Sequence, residues 1–158
     1  MSSTDLLYPA LQERFRVSDF VRWSDVDQAG IICYGSYVRF FEIAETELFR
    51  AVGLPNSQIF DLYDIWLPRA QLHFEFRQPA RLDDRLDVEV WVAEIGRSSI
   101  RLHFEVSKSN GERILTAEGH EVLVVVGRGD LKPIPVPPGI VAALTPYRVP
   151  AAVRPSQG

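Results

Sequence analysis

Two aspartates separated by one residue stand at the end of a strand-like run in Asp25-Val26-Asp27-Gln28-Ala29-Gly30-Ile31-Ile32-Cys33-Tyr34-Gly35-Ser36-Tyr37, and a helix-forming stretch follows directly. A carboxylate can serve as a nucleophile or as a general base. The first backbone N–H groups of a helix have no intrahelical acceptor and can hold a developing negative charge. An acid beside such an anion cradle is what acyl-transfer chemistry requires. Asp27 is the candidate acid. Asp25, on a continued strand, would share a face with Asp27 and repel its charge, so a structural or tuning role is expected for it.

Other chemistry-bearing residues are less suggestive. His73, His103 and His120 lack metal-ligand spacing, and no metal or cofactor is expected. Cys33 has no paired base in the local sequence. An Asp-x-Asp after an apolar strand also opens metal-dependent phosphatases, but this chain is too short and too antiparallel in pattern for that fold.

The elements that must position Asp27 are legible from periodicity. Over 36–51, Tyr37, Phe41, Ala44 and Leu48 fall at helical spacing, with Phe40 and Phe49 widening the stripe. Ser36 is placed to cap this helix, and Gly53 with Pro55 to stop it. After it the period becomes two. Ile65–Arg77 alternates Leu72, Phe74 and Phe76 with His73 and Glu75. Arg85–Ile95 alternates Leu86, Val88, Val90 and Val92 with charged residues. Ser99–Lys108 does the same, and Arg113–Gly127 ends in a run of valines. Short turns at Arg81–Asp84, Gly96–Ser98 and Asn110–Gly111 demand antiparallel pairing. One long helix and a meander of long strands predict an α+β domain, the helix covering the sheet's apolar face. The expected organisation is a peripheral segment 1–14, a domain over 15–138 and a C-terminal tail 139–158, with the Pro-rich 132–138 running extended.

Composition narrows the function classes. The formal net charge of −4 argues against a general nucleic-acid or membrane-surface binder. The single Cys33 excludes an internal disulfide and suits a reducing compartment, no secretory signal is visible, and no run is long and apolar enough to span a bilayer. A cytoplasmic protein without nucleic-acid or membrane partners is expected.

With these residues in view, the chain resembles the hotdog-fold acyl-coenzyme A thioesterases of the 4-hydroxybenzoyl-CoA thioesterase type. The likeness rests on Asp25-x-Asp27-x-x-Gly30 followed by Ile31-Ile32, a short bridge and the aromatic helix. Phe76-Arg77-Gln78-Pro79, Gly96-Arg97-Ser98-Ser99 and Pro133-Ile134-Pro135 then follow in order. The resemblance implies a long helix wrapped by a five- or six-stranded antiparallel sheet. It implies hydrolysis of an acyl- or aroyl-coenzyme A (or acyl-carrier-protein) thioester to free acid and thiol. By the same resemblance Asp27 is the catalytic carboxylate, nucleophile or base, and the Tyr34 backbone N–H polarises the thioester carbonyl. Glu42 matches a helix carboxylate that touches an aryl hydroxyl, although Glu there is common with other substrates. Another thioesterase lineage would make Glu42 or Glu45 catalytic. Tyr37 is expected at the acyl site, and Arg97, Ser98, Arg128 and Lys132 at the coenzyme A phosphates. Gln28 and Cys33 depart from the usual pattern at positions that shape the acyl pocket. A homo-oligomer, dimer or homotetramer, is implied. A non-catalytic acyl-thioester-binding module on the same fold is the alternative, and the intact Asp27 favours the enzyme.

Overall fold

The computed structural model describes residues 14–109 and 111–149. Most of the 1–14 segment, Asn110 of the expected turn and the chain from 150 onward lie outside the described residues. The long helix α1 (Tyr37–Ala51) buries Tyr37, Phe40, Phe41, Ala44, Leu48 and Phe49. Opposite it lies a five-stranded antiparallel sheet of β1 (Phe15–Phe20), β3 (Arg69–Phe76), β4 (Arg85–Ile95), β5 (Ser99–Ser109) and β6 (Arg113–Val124), in the order β1-β4-β5-β6-β3. β4, β5 and β6 form the meander that the short turns require. Their alternate residues Leu86, Val88, Val90, Ile100, Leu102, Phe104 and Val106 are fully or almost fully buried beneath α1. Each such side chain contributes about 1.5–3 kcal/mol of burial free energy. Phe41 of α1 stacks on Phe104 of β5 with ring centroids 3.9 Å apart.

Three details differ from the sequence reading. The run Ile65–Arg77 is broken at Leu67–Pro68, because proline has no N–H to give a ladder. Its first part, β2 (Ile65–Trp66), pairs with β7 (Val126–Gly127), while β3 pairs with β6. A short helix α2 (Asn56–Tyr63) follows α1, anchored by buried Ile59. The segment read as the start of a tail is helix α3 (Pro138–Leu144), entered through a proline at its first position and burying Ile140 and Leu144 in the common core.

β3 occupies one edge of the sheet. Its Phe74 ring lies 4.7 Å from Phe41, yet Leu72 and Phe76 remain 45% and 54% exposed. Gly119 of β6 brings the β3 backbone close: a Cβ there would collide with the His73 carbonyl oxygen and crowd the Phe41 ring.

Candidate active site

The Asp25–Tyr34 segment leaves β1 and does not continue as strand. Trp23–Asp25 form a 3₁₀ turn, and Val26 and Ile32 then bridge across a tight loop. Asp27 N–H donates to the Ile31 carbonyl at 2.9 Å and Gly30 N–H to the Asp27 carbonyl at 3.0 Å, with Gly30 at φ 73°. That left-handed conformation explains the glycine.

The turn separates the two aspartates by environment. Asp25 is buried, and its carboxylate accepts from the Arg22 N–H at 2.8 Å and from Arg39 Nε at 3.1 Å, with Arg39 Nη2 on its other oxygen. Arg39 also reaches Asp19 at 2.7 Å. Burial works against ionisation of Asp19, but Arg39, the Phe20 N–H and Arg22 outweigh it and hold its carboxyl below the ordinary value. Asp25 is thus an anchor for the loop. Asp27 is exposed, and among the described residues its carboxylate makes one hydrogen bond, from the Ala29 N–H at 2.8 Å. The Asx turn orients the carboxylate without neutralising it.

Helix α1 is preceded by a 3₁₀ turn over Tyr34–Ser36, so the first free N–H groups belong to Tyr34 and Gly35. The Tyr34 N–H has no backbone acceptor among the described residues. Ser36 does not cap the helix. It lies at helical angles, and its hydroxyl donates instead to the Asp25 carbonyl at 3.1 Å, tying the helix start to the aspartate loop. Asp27, Tyr34 and Tyr37 line one cavity of about 410 Å³ with Ile31, Phe76 and Pro79. The Tyr37 hydroxyl is buried, which pushes its pKa up against a hydrogen bond to Thr116, and its ring packs 5.7 Å from Phe76. It is a wall of the cavity.

Further along α1, Glu42 lines a second cavity of about 330 Å³ with Val38, Phe41, Arg69, Leu72 and Glu121. The other expected residues lie elsewhere. Arg97 and Ser98 occupy the β4–β5 turn, where Val125 and Val136 N–H groups donate to the Ser98 and Arg97 carbonyls. Arg128 is held by Asp61 at 2.6 Å and lies over Trp66, and Lys132 is exposed. All four sit near the start of β3, whereas Asp27 sits near its end. The eleven-residue β4 separates the two groups by about 35 Å within one chain.

Two features were missed. Glu121, which the sequence reading did not name, is buried beside Arg69 together with Glu45, the alternative catalytic candidate; the position of Glu121 on the core-facing parity of β6, with Ala117 and Leu123, was the available signal. His73, His120 and His103 stand in register across β3, β6 and β5, with ring centroids 5.2 and 5.6 Å apart, on the face turned away from α1. No group of three or more potential ligands among the described residues is arranged to hold a metal ion.

A helix laid across a five-stranded antiparallel sheet is the hotdog architecture of the thioesterases that the chain resembles. The chain belongs to the Thioesterase-like superfamily, whose pattern matches residues 21–144. It is 30% identical over 128 residues to the acyl-CoA thioester hydrolase YbgC of Escherichia coli O157:H7, covering 81% of this chain and 93% of that one. It is 23% identical over 117 residues to 1,4-dihydroxy-2-naphthoyl-CoA hydrolase of Thermosynechococcus vestitus, covering 74% and 80%. Among solved structures, a mutant 4-hydroxybenzoyl-CoA thioesterase complexed with 4-hydroxybenzoyl-CoA superposes with TM-score 0.76 at 25% identity, covering 82% of this chain and 96% of that one. Slr0204 of Synechocystis, a 1,4-dihydroxy-2-naphthoyl-CoA thioesterase, gives 0.77 at 21%, covering 84% and 96%. The protein is a thioester hydrolase.

Proposed function

We propose that this chain hydrolyses an acyl- or aroyl-coenzyme A thioester, with a carrier-protein thioester as the other source of the same bond, using Asp27 and the Tyr34 N–H. The observation that carries this reading is that the free carboxylate and the unpaired helix-start N–H border the same cavity. The thioester carbonyl oxygen accepts from the Tyr34 N–H, and the positive end of α1 stabilises the oxyanion as it forms. Asp27 either attacks the carbonyl carbon, giving a mixed anhydride that water cleaves, or takes a proton from the attacking water. In both routes the C–S bond breaks, the thiolate leaves and is protonated, and the free acid is released. Asp27→Asn keeps the shape but supplies neither nucleophile nor base. It is expected to lower kcat in a free-thiol release assay by about 10²–10⁴-fold. Turnover within about threefold of wild type would transfer the catalytic role to Glu42 or Glu45.

The working unit we propose is a homo-oligomer, a dimer paired through β3 and a homotetramer formed from two such dimers. An edge strand with exposed Leu72 and Phe76 is an open template. Antiparallel β3–β3 pairing would set the Arg97, Ser98, Arg128 and Lys132 end of one protomer beside the Asp27 end of the other, where coenzyme A phosphates need cations. Sedimentation is expected to give at least dimer mass at micromolar concentration, and a monomer would overturn the shared site. The lone Cys33, which suits a reducing compartment, supports a cytoplasmic placement.

A further inference from the structure

The histidine row on the outer face of the sheet takes no part in the hydrolysis proposed for Asp27. His103 of β5, His120 of β6 and His73 of β3 stand opposite one another, with successive rings inclined by only 26° and 24°. Trp91 of β4 continues the row on one side, 5.7 Å from His103, with the Arg14 guanidinium over its ring. On the other side the row ends at His73, on the open edge of the sheet. One pleat away, Glu89, Glu105, Glu118 and Glu75 form a parallel row on the same face. Each of these carboxylates already has an arginine. Arg14, Arg16 and Arg113 hold Glu89 and Glu105, and Arg77 holds Glu75 and Glu118. The other flank of the row carries Arg101 of β5, Val122 of β6 and Gln71 of β3.

An imidazolium in this row therefore meets cations, other imidazoles and carboxylates that arginines already hold. Burial first, then His120 and Arg101, keep His103 below the ordinary value of 6.5. Burial, then Arg101 and His73, do the same to His120. Both rings are neutral at pH 7, and a proton on one ring opposes a proton on the next, so their titrations are coupled.

We propose that β3 strands of two copies pair with their His73 side chains adjacent, joining the two rows into one stripe of six imidazoles, and that acid separates the copies by charging this stripe. The inference rests on the dimer proposed above and names how its shared site is regulated. The middle of β3 falls at Leu72 and His73. A two-fold axis at His73 sets the two imidazoles directly opposite, about 5 Å apart, and an axis at Leu72 sets them diagonally, about 7–8 Å apart. In both registers the exposed Leu72 is covered by apolar residues of the other copy. In neither do like charges meet across the seam while His73 is neutral. Protonation reverses this, because two cations then face each other with no free carboxylate between them. Pairing thus lowers the proton affinity of the row. By linkage, protons favour the separated copies: the pair holds above the imidazole range and is released as pH falls through it.

The test is subunit exchange between full-length copies labelled at the N-terminal amine with an energy-transfer donor or acceptor. This reads dissociation even when the pair is tight. Wild type is expected to exchange about tenfold or more faster at about pH 5.5 than at about pH 7.5, since each proton that pairing excludes changes the equilibrium about tenfold per pH unit. His73→Gln, uncharged at both values, should keep the two rates within about twofold of each other. His73→Lys, which fixes the charge at the seam, should exchange at the acid rate already at neutral pH. The His120 ring resonance should titrate below 6.5 in wild type and move up in His73→Gln; this readout stands even if the lysine variant does not fold. An exchange rate indifferent to pH, a His73→Gln as acid-sensitive as wild type, a folded His73→Lys that exchanges as slowly as wild type at neutral pH, or a His120 resonance that ignores His73 would each overturn the proposal and leave the thioesterase and its dimer standing. Monomer mass in sedimentation at every pH would overturn the dimer reading itself.

Discussion

Two clusters along α1 each set an arginine against a pair of carboxyl groups, Arg39 against Asp19 and Asp25 and Arg69 against Glu45 and Glu121, with opposite outcomes. At the start of the helix, Arg39 spreads its guanidinium over Asp19 and Asp25, while the Phe20 and Arg22 backbone N–H groups and the Arg22 side chain supply further donors. Asp19 is held below its ordinary value. In the middle of the helix, Arg69 is taken up by Glu45, the neighbouring backbone is locked in sheet, and Glu121 is driven up to about 9. Two differences act together: Glu121 is much more deeply buried than Asp19, and it has fewer spare donors. A loop leaves backbone N–H groups free to turn toward a carboxylate; a central strand has none to offer.

The strongest challenge to this comparison is to remove each arginine. Arg39→Leu strands the buried Asp25 and is expected to destabilise by about 3–5 kcal/mol in denaturant titration. The Asp27 loop should loosen with it, because Ser36 and Arg39 hang on the same aspartate. Arg69→Leu should cost less, about 1–2 kcal/mol, since Arg69 is half exposed and Glu45 and Glu121 can share a proton in place of the lost cation. Equal losses would show that donor supply is not what separates the clusters.

A finer test uses pH. Glu121 keeps its proton in the folded chain after the unfolded chain has released it. Its contribution to stability is therefore complete below the ordinary 4.5 and is lost as pH rises toward about 9. Asp19 runs the other way: its contribution is present above 3.8 and lost as pH falls through the lowered folded value. Glu121→Gln should flatten the alkaline side of the stability curve, gaining more than about 1 kcal/mol on wild type near pH 9, while leaving the acid side as it was. An unchanged alkaline slope would mean that Glu121 is ionised in the folded protein.

Periodicity and turn length were enough to predict α1, the β4–β5–β6 meander and the conjunction of Asp27 with the helix start, because these depend on neighbours a few residues apart. Side-chain parity in a strand and the apolar stripe of a helix are local consequences of backbone geometry. The short helices were not legible: α3 hides behind Pro137 and Pro138, and its place in the core depends on Ile140 and Leu144 meeting distant elements. Asp25 and Asp27 look alike in sequence, and only the 3₁₀ turn and Arg39, fourteen residues on, make one an anchor and leave the other free. The state of Glu121 depends on Arg69 and Glu45, which reach it only once β3 pairs with β6 and α1 lies across both. Elements follow from local covalent geometry, but the charge of a buried group follows from which donors folding brings within reach, and that was decided by the tertiary structure.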